Sequence, residues 1–240
     1  MILEHIYPKN FLRLKSFHSN FATAKIKKVK EEHKKEDTRN LIVETAMQLF
    51  WEKGIKEVKM DDIASLLSVS KRTIYEFFND KEQLLLEALK LEHKKMREVA
   101  KERIRGAKHI LEIILILYTL YFEKLKIINT KFFKEIEKYP NICKRNRERE
   151  KKNNKKFLAW MEMARRQGLF RDDANFEVLS YILHRDLEAI IAVKKQDEPS
   201  ELSKYSWDEL GRFLILFYLR GISTPKGQEV IEEYLKKNKE

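Results

Sequence analysis

Residues that break helices are scarce in this chain, which has six glycines and four prolines among 240 residues. Apolar residues make up 43% of the chain and charged residues 37%. The apolar fraction is sufficient for a core, and so few turn-forming residues are typical of a helical protein. We therefore predict an all-α fold whose helices follow one another through short connections.

The longest apolar run lies at residues 110–122. It contains Glu112 and is shorter than the ~20 residues that a membrane-spanning helix needs. We interpret it as a buried helix and expect no membrane partner. The chain begins without an apolar stretch of signal-peptide length, and its lone cysteine, Cys143, excludes a disulfide framework. Both observations favour a cytoplasmic protein.

Positive charge is unevenly distributed along the chain, which carries a net charge of +12. Residues 37–89 contain seven Lys and Arg against ten Asp and Glu, whereas residues 106–160 contain fourteen against six. A nucleic-acid-binding surface within residues 37–89 would therefore use a few placed cations and not a general positive field.

Three helical patterns follow one another within residues 37–78. The first is predicted to begin at an N-cap, Asp37 or Thr38, and to end at Gly54. The second covers residues 60–67, and the third opens at residue 70 and runs to about residue 77. Short connections between three such helices are typical of a helix-turn-helix unit.

The third of these helices has distinct inner and outer faces. At 100° per residue, Ile74 and Phe78 share the inner face, Arg72 lies nearly opposite, and Thr73 and Tyr75 flank it. A helix that enters the major groove needs this arrangement, because apolar residues hold it while donors face the DNA. Arg72 suits guanine acceptors, and the two hydroxyls suit phosphate oxygens. The alternative is a solvated face on which Arg72 pairs with the acid four residues later.

A further helix is predicted to start at Asp80, with Gln83 completing a capping box. Lys81 then lies in the first turn, where a phosphate could dock against free backbone N–H groups. An ordinary exposed lysine is the alternative. The predicted DNA-binding residues are Lys59, Ser70, Lys71, Arg72, Thr73, Tyr75 and Lys81.

The segments RNLIVETAMQLFWEKG, MDDIASLLSVSKRTIYEFF and DKEQLLLEAL together resemble the DNA-binding domain of the TetR family of transcription regulators. The resemblance covers residues 39–89. It implies an N-terminal three-helix helix-turn-helix domain followed by a helical ligand-binding and dimerisation bundle. It also implies a homodimer that binds double-stranded DNA with the helix starting near Ser70. In the family, positions that match Thr73, Tyr75 and Lys81 commonly contact DNA.

Two positions depart from the family's pattern. Lys59 stands where a Ser or Thr usually caps the second helix; either Asp61 and Asp62 compensate through the helix dipole, or Lys59 itself reaches a phosphate. Ser68 stands where the turn often has Gly, at a cost of roughly 1 kcal/mol if the position needs a positive φ.

We predict three segments with separate roles. Residues 1–36 form a basic extension that is either disordered or an arm that follows phosphates. Residues 37–89 form the helix-turn-helix domain, and residues 90–240 form the ligand-binding and dimerisation domain. After a long helix that reaches Arg105, helices are predicted at residues 107–128, 130–138, 141–167, 174–194, 207–220 and 226–237. The charged run KRNREREKKNNKK is interpreted as a solvated face.

Aromatic and apolar residues of the second domain are candidates for two kinds of site. An unidentified small-molecule effector is predicted to bind among Tyr118, Tyr121, Phe122, Trp160, Tyr181 and His184. The dimer interface is predicted at Leu183, Leu187, Ile190, Phe213, Leu214, Phe217 and Tyr218. Ordinary core packing is the alternative for both sets.

The sequence contains no catalytic signature. Its histidines show no HxxxH or HExxH spacing, it has one cysteine, and it has no Gly-rich phosphate loop. We therefore expect neither an enzyme nor a metal or cofactor site. The predicted function is a ligand-responsive repressor that binds a palindromic operator as a homodimer. The alternative is a helical protein-interaction module without sequence-specific DNA binding.

Overall fold

The computed structural model describes residues 21–195, 201–202 and 204–238. The described residues contain ten helices and no strand longer than a single bridge between Phe170 and Ser223. The helices are α1 (Phe21–Lys53), α2 (Met60–Leu66), α3 (Lys71–Phe77), α4 (Lys81–Ile104), α5 (Ile110–Lys126), α6 (Thr130–Ile136), α7 (Pro140–Arg166), α8 (Phe176–Lys195), α9 (Trp207–Ile222) and α10 (Pro225–Lys237). The predicted all-α fold is confirmed, and the helices predicted after Asp80 have bounds within three residues of those observed.

The start of α1 differs from the prediction. The helix begins at Phe21, so Asp37 and Thr38 lie inside it and not at its N-cap. Residues 21–36 contain neither Gly nor Pro and are rich in Lys and Glu, which are good helix formers. The chain divides into two compact units, residues 1–41 and 42–240. Residues 1–20 lie outside the described residues, and the three-segment division stays a prediction.

The helix-turn-helix region has its own apolar core. Phe50 of α1, Ile63 of α2, Ile74 of α3 and Leu84 of α4 are completely buried, as is Phe78, which follows α3. These residues occupy the positions at which helical periodicity places the inner faces. The core therefore holds α2 and α3 against the end of α1 and the start of α4.

Later helices complete this same core. Phe132 of α6 and Ile142 of α7 are buried within it. Just before α6, the Asn129 backbone N–H donates to the Trp51 carbonyl at 2.8 Å, and its side-chain amide donates to the Glu52 carbonyl at 3.1 Å. Since the last carbonyls of a helix lack partners within the helix, these bonds cap the end of α1.

A second core lies among α5, α7, α9 and α10. Leu111, Met161, Phe170, Leu219 and Ile231 are among its most buried members, each at most 1% exposed. The loop before α10 is fixed by the Thr224 backbone N–H, which donates to the Leu169 carbonyl at 3.0 Å. The chain after α4 is thus a helical bundle with a separate apolar centre.

Helices α5 and α9 approach each other closely at Gly211. A Cβ atom at this position would lie 2.3 Å from the ring of Phe122, which is buried on α5. Such a distance is far below van der Waals contact, so the absence of a side chain at Gly211 sets the spacing of the two helices. Gly221, on the same helix, has open space around the corresponding position.

We expect Gly211→Ala to destabilise the protein by about 1–3 kcal/mol, because the new methyl group overpacks against Phe122. Gly221→Ala is the matched control and should stabilise the protein by up to about 1 kcal/mol, since alanine favours a helix over glycine. Urea unfolding of both variants at one protein concentration measures the difference. Equal midpoints for the two variants would contradict the close approach.

Candidate functional site

Helices α2 and α3 are joined by a turn that reverses the chain within four residues. Ser68 has φ +53°, the left-handed region, and the Val69 backbone N–H donates to the Ala64 carbonyl at 3.0 Å. Ala64 is buried at the crossing with α3. The expected strained position at Ser68 is therefore confirmed, and the geometry is that of a helix-turn-helix unit.

Two hydroxyls fix the start of α3. Ser70 is the N-cap, and its Oγ accepts a hydrogen bond from the Thr73 backbone N–H at 3.0 Å. The Oγ1 of Thr73 lies 2.8 Å from the same atom. Ser70 and Thr73, both predicted to bind DNA, are thus hydrogen-bonded to each other at the N-terminal end of α3.

The outer face of α3 presents exposed donors. The Arg72 side chain is 89% exposed, and Tyr75 is 43% exposed. Arg72 lies 3.5 Å from Glu76, and Lys71 donates to Asp61 of α2 at 2.8 Å, which raises the pKa of Lys71. Exposed ion pairs of this kind are weak, so both cations can exchange their carboxylate partners for phosphates.

The Lys59 side chain is exposed and does not cap the N-terminus of α2. The Lys59 backbone N–H instead donates to Asp62 Oδ2 at 2.7 Å. Asp62 therefore supplies the reverse half of a capping box and compensates for the missing Ser or Thr. The Lys59 side chain is exposed, and a phosphate contact by it stays a prediction.

Lys81 has an internal role that the sequence did not indicate. Its ammonium donates to the carbonyls of Ile55 at 2.7 Å and Val58 at 2.9 Å, in the connection between α1 and α2. Desolvation lowers the pKa of Lys81, although the charge of Glu135 opposes this effect. The predicted N-cap Asp80 is confirmed, since its side chain accepts from the Gln83 backbone N–H at 2.7 Å. A phosphate contact by Lys81 stays a prediction.

The predicted effector residues divide between interior and surface. Phe122 is buried, Tyr118 packs against Phe157 with ring centroids 6.4 Å apart, and Trp160 is half-buried. Tyr121 is 40% exposed at the rim of α5. These four lie on α5 and α7, and effector binding by them stays a prediction.

Tyr181 and His184 depart from the expected pocket. Tyr181 is 68% exposed, and His184 lies on the outer side of α8 with its Nε2 3.4 Å from Glu188. Both side chains face away from the interior of the chain, because the buried face of α8 is the one that carries Leu183. An open groove of about 530 Å³ contains none of the six predicted effector residues; it is lined by Leu158, Glu162, Arg165, Asp172, Asp173, Ala174, Asn175, Phe176 and Glu177.

The predicted dimer residues also have unequal positions. Leu183 and Leu214 are 3% and 8% exposed, so they are buried within the chain and offer little surface to a partner, unlike the prediction. Leu187, Ile190 and Tyr218 are half-buried. Phe213 and Phe217 of α9 are 72% and 65% exposed and stack on each other with centroids 6.1 Å apart. Only the latter pair offers a large apolar surface to a partner.

Comparison with known proteins identifies the helix-turn-helix region. Residues 42–88 match the profile of the family described as "Bacterial regulatory proteins, tetR family". Residues 42–88 therefore resemble the helix-turn-helix region of TetR-family regulators. The predicted resemblance is confirmed, and the matched residues run from the buried part of α1 to the first turns of α4.

Proteins that are similar to this chain are described as transcriptional regulators. The HTH-type transcriptional regulator YhgD of Bacillus subtilis is 34% identical over 101 residues, which are 41% of this chain and 53% of the relative. The match thus spans about half the length of that relative.

Solved structures of similar fold extend the comparison to the bundle. A transcriptional regulator from Saccharomonospora viridis, solved in complex with choline, has a TM-score of 0.67 and 22% identity, covering 79% of this chain and 99% of its own. A TetR transcriptional regulator from Chloroflexus aurantiacus has a TM-score of 0.63 and 18% identity, covering 80% and 98%. At these identities the likeness establishes the fold.

The described residues lack two other kinds of site. No described helix is long and apolar enough to cross a membrane. Within the same ranges, His, Cys, Asp and Glu side chains form no group of three that could hold a metal ion.

Sequence reasoning missed one residue of the bundle. Arg149 lies within the charged run that was interpreted as a solvated face, yet it is half-buried on α7. It follows the buried Ile142 by seven residues and precedes Phe157 by eight, which places all three on one helical face. That spacing was the available signal.

We expect Ser68→Gly to stabilise the TetR-family domain by up to about 1 kcal/mol, because glycine adopts positive φ without steric cost. Ser68→Ala serves as the control and should give no such gain, since alanine has the same Cβ constraint. Thermal unfolding midpoints of the two variants measure the effect. A Ser68→Gly midpoint at or below that of Ser68→Ala would contradict strain at this turn.

Proposed function

We propose that this protein is a DNA-binding transcriptional regulator that binds a palindromic operator as a homodimer and represses transcription until a small-molecule effector binds. The observation that carries the proposal is the arrangement of side chains on α3. Its inner residue Ile74 is fully buried, while Arg72 and Tyr75 extend into solvent from a helix of a TetR-family domain. A rigid helix with donors on its outer face suits insertion into the major groove.

Specific contacts must supply much of the affinity because the domain is not basic overall. Residues 37–89 carry an excess of three acids. Arg72 can donate two hydrogen bonds to a guanine, and Lys59, Lys71 and the hydroxyl of Tyr75 suit phosphates. Ser70 and Thr73 act at the same end of α3, where they also hold the helix start.

The exposed rings of Phe213 and Phe217 support a homodimer. Phe213 and Phe217 are large, exposed and stacked on each other. An exposed apolar patch of this kind marks an interaction site more often than an ordinary solvent-exposed face. A dimer presents two copies of α3, which can bind two half-sites about one helical turn apart. A palindromic operator follows from that symmetry.

Sensitivity to an effector is supported by the way the bundle enters the helix-turn-helix core. Phe132 of α6 is part of that core, and Asn129 caps the end of α1. A ligand that favours one position of α5 or α6 would therefore change the placement of α2 and α3. One structural neighbour was solved with choline, which is an example of a bound small molecule.

A helical protein-interaction module without sequence-specific DNA binding is the second candidate. The ion pairs that already occupy Lys71 and Arg72 favour it, since a solvated face needs no other explanation. The two candidates differ in whether the purified protein enriches one duplex sequence.

Selection of duplexes from a random pool should yield a palindromic sequence, and substitutions on α3 should weaken binding to it. We expect Arg72→Ala to cost about 1–3 kcal/mol and to relax the preference at one base position. Arg72→Lys should remain impaired, because lysine keeps the charge without the bidentate geometry. Lys71→Ala should lower the slope of log K against log salt by about 1.

Lys236→Ala, an exposed cation on α10, is the matched control and should leave affinity and salt slope unchanged. Fluorescence anisotropy with the selected duplex and a scrambled duplex provides both quantities. If no sequence is enriched above background, the proposal of a sequence-specific regulator is contradicted. The protein-interaction module is then the better interpretation.

We expect Phe213→Glu combined with Phe217→Glu to convert the dimer into a monomer, because the charges oppose burial of this surface. The fold should be retained, since both rings are exposed in the protomer. Light scattering coupled to size exclusion measures the mass. If the double variant remains a dimer, α9 is excluded from the interface. Val178→Glu changes an exposed apolar position on α8 and tests whether the interface extends to that helix.

A further inference from the structure

The connection between α1 and α2, residues 54–59, is held by side chains of other helices. It forms no helix, so its backbone N–H and C=O groups need partners from elsewhere. Ile55 and Val58 within it are completely buried. Helix α6 packs so closely on Gly54 that a Cβ atom there would lie 2.9 Å from Glu135 Oε2. The position of this connection therefore depends on the helices around it.

Lys81, in the first turn of α4, binds three carbonyls of the connection. Its ammonium donates to Ile55 at 2.7 Å and to Val58 at 2.9 Å, and it also donates to Lys56 at 3.4 Å. An ammonium has three N–H donors, so these carbonyls can accept all of them. A phosphate could bind Lys81 only if the ammonium left the carbonyl of a buried residue. That acceptor would then be unsatisfied, which is costly.

Two carboxylates hold N–H groups of the same connection. Glu135 Oε2 of α6 accepts from the Lys56 backbone N–H at 2.7 Å. Asp62 Oδ2 of α2 accepts from the Lys59 backbone N–H at 2.7 Å. The charges of both carboxylates favour the charged form of Lys81, although burial lowers its pKa. This local negative charge offsets the helix dipole, which disfavours a cation in the first turn of α4.

Lys81 thereby joins the two ends of the segment that contains α2 and α3. Ile55 precedes Lys81 by 26 residues, and both helices lie between them. We call the hydrogen bonds from the ammonium to the connection the Lys81 tie. The apolar core holds the same segment through Ile63 and Ile74. Since apolar contacts are non-directional and hydrogen bonds are directional, the tie fixes an orientation that the core alone leaves adjustable.

We propose that Lys81 is a positioning residue for DNA recognition, whose ammonium sets the orientation of α3 through the Lys81 tie and does not itself contact a phosphate. Base contacts by Arg72 need a fixed orientation of α3, because hydrogen bonds to base edges are directional. Phosphate contacts by Lys71 tolerate more movement, because an ammonium acts as a point charge. Loss of the tie therefore reduces discrimination between sequences more than it reduces affinity for DNA in general. This inference rests on the proposed function, since it assigns a role beside the same site.

Amine labelling of the wild-type protein tests the tie without any variant. Sulfo-N-hydroxysuccinimidyl acetate acylates exposed lysines, and mass spectrometry of the peptides gives the rate at each position. We expect Lys81 to react at least about tenfold more slowly than Lys94, because the tie must open first. Lys94 is exposed on the same helix and is the matched control. Equal rates for the two lysines would overturn the proposal.

The same labelling in the presence of the selected duplex tests for a phosphate contact. We expect the duplex to slow the labelling of Lys71 and to leave that of Lys81 unchanged, because the Lys81 donors are already occupied. Further slowing of Lys81 by the duplex would indicate a phosphate contact and would overturn the proposal.

Lys81→Met removes the ammonium and keeps the apolar stem. We expect binding to the selected duplex to weaken by about tenfold or more, and binding to a scrambled duplex by at most about threefold. The slope of log K against log salt should stay unchanged. Lys94→Met should leave both affinities and the slope unchanged. A phosphate contact predicts equal losses on both duplexes and a slope lower by about 1. Either of those results, or unchanged binding by Lys81→Met, would overturn the positioning role.

Circular dichroism and urea unfolding of Lys81→Met accompany the binding measurements. The variant leaves the carbonyls of Ile55 and Val58 without a donor, so its midpoint should be lower than that of the wild type. An unchanged midpoint would contradict the tie. Binding is measured where both proteins are fully folded, since a merely destabilising change then leaves the discrimination between duplexes unaltered. If Lys81→Met does not fold, the labelling of the wild type decides the proposal.

Failure of this inference and failure of the proposed function are distinguishable. Labelling of the free protein does not depend on an operator. An unsuccessful duplex selection would therefore contradict the regulator, while slow labelling of Lys81 would still support the tie. Conversely, a selected palindromic duplex together with fast labelling of Lys81 would retain the regulator and remove the tie.

Discussion

The helix-turn-helix core is completed by residues of the bundle, and the arrangement of the whole unit depends on that packing. Three short helices bury too little surface to be stable alone. Phe132 and Ile142 supply the missing apolar contacts from α6 and α7. Asn129 satisfies the last carbonyls of α1, and Lys81 satisfies those of the following connection. The surface that presents Arg72 and Tyr75 is therefore positioned by residues as distant in sequence as Ile142.

This shared core would give the proposed effector binding a short mechanical route to α3. Helix α7 contributes Ile142 to the helix-turn-helix core and Met161 to the bundle core, so it connects the two. A ligand whose binding free energy differs by about 1–3 kcal/mol between two positions of α7 would change operator affinity by about 5- to 150-fold. Close-packed cores such as the one around Phe50 and Ile74 transmit such shifts because they compress little.

Local sequence information predicts the helices well and their contacts less well. The periodicity of apolar residues, together with caps such as Asp80 and Ser70, was enough to place α2 to α10 and the exposed face of α3. The early start of α1 was missed because Asp37 and Thr38 resemble a cap even when helix formers precede them. The burial of Arg149 was indicated by its spacing from Ile142 on α7, although it was not predicted. The partners of Lys81 and the exposure of Tyr181 depend on which helices meet in space. No pattern within one helix specifies which helices pack against each other.

The acids on the proposed DNA-binding face would weaken background binding to DNA more than they affect folding stability. Lys71 pairs with Asp61 and Arg72 with Glu76, and both pairs are exposed, so each contributes little to folding. On DNA, however, Asp61 and Glu76 would lie near phosphates and repel them. That repulsion is sequence-independent, and it opposes non-specific and specific complexes alike. A base contact by Arg72 adds energy only at the correct site, so a domain with an excess of acids lowers its background binding and retains its discrimination between sequences.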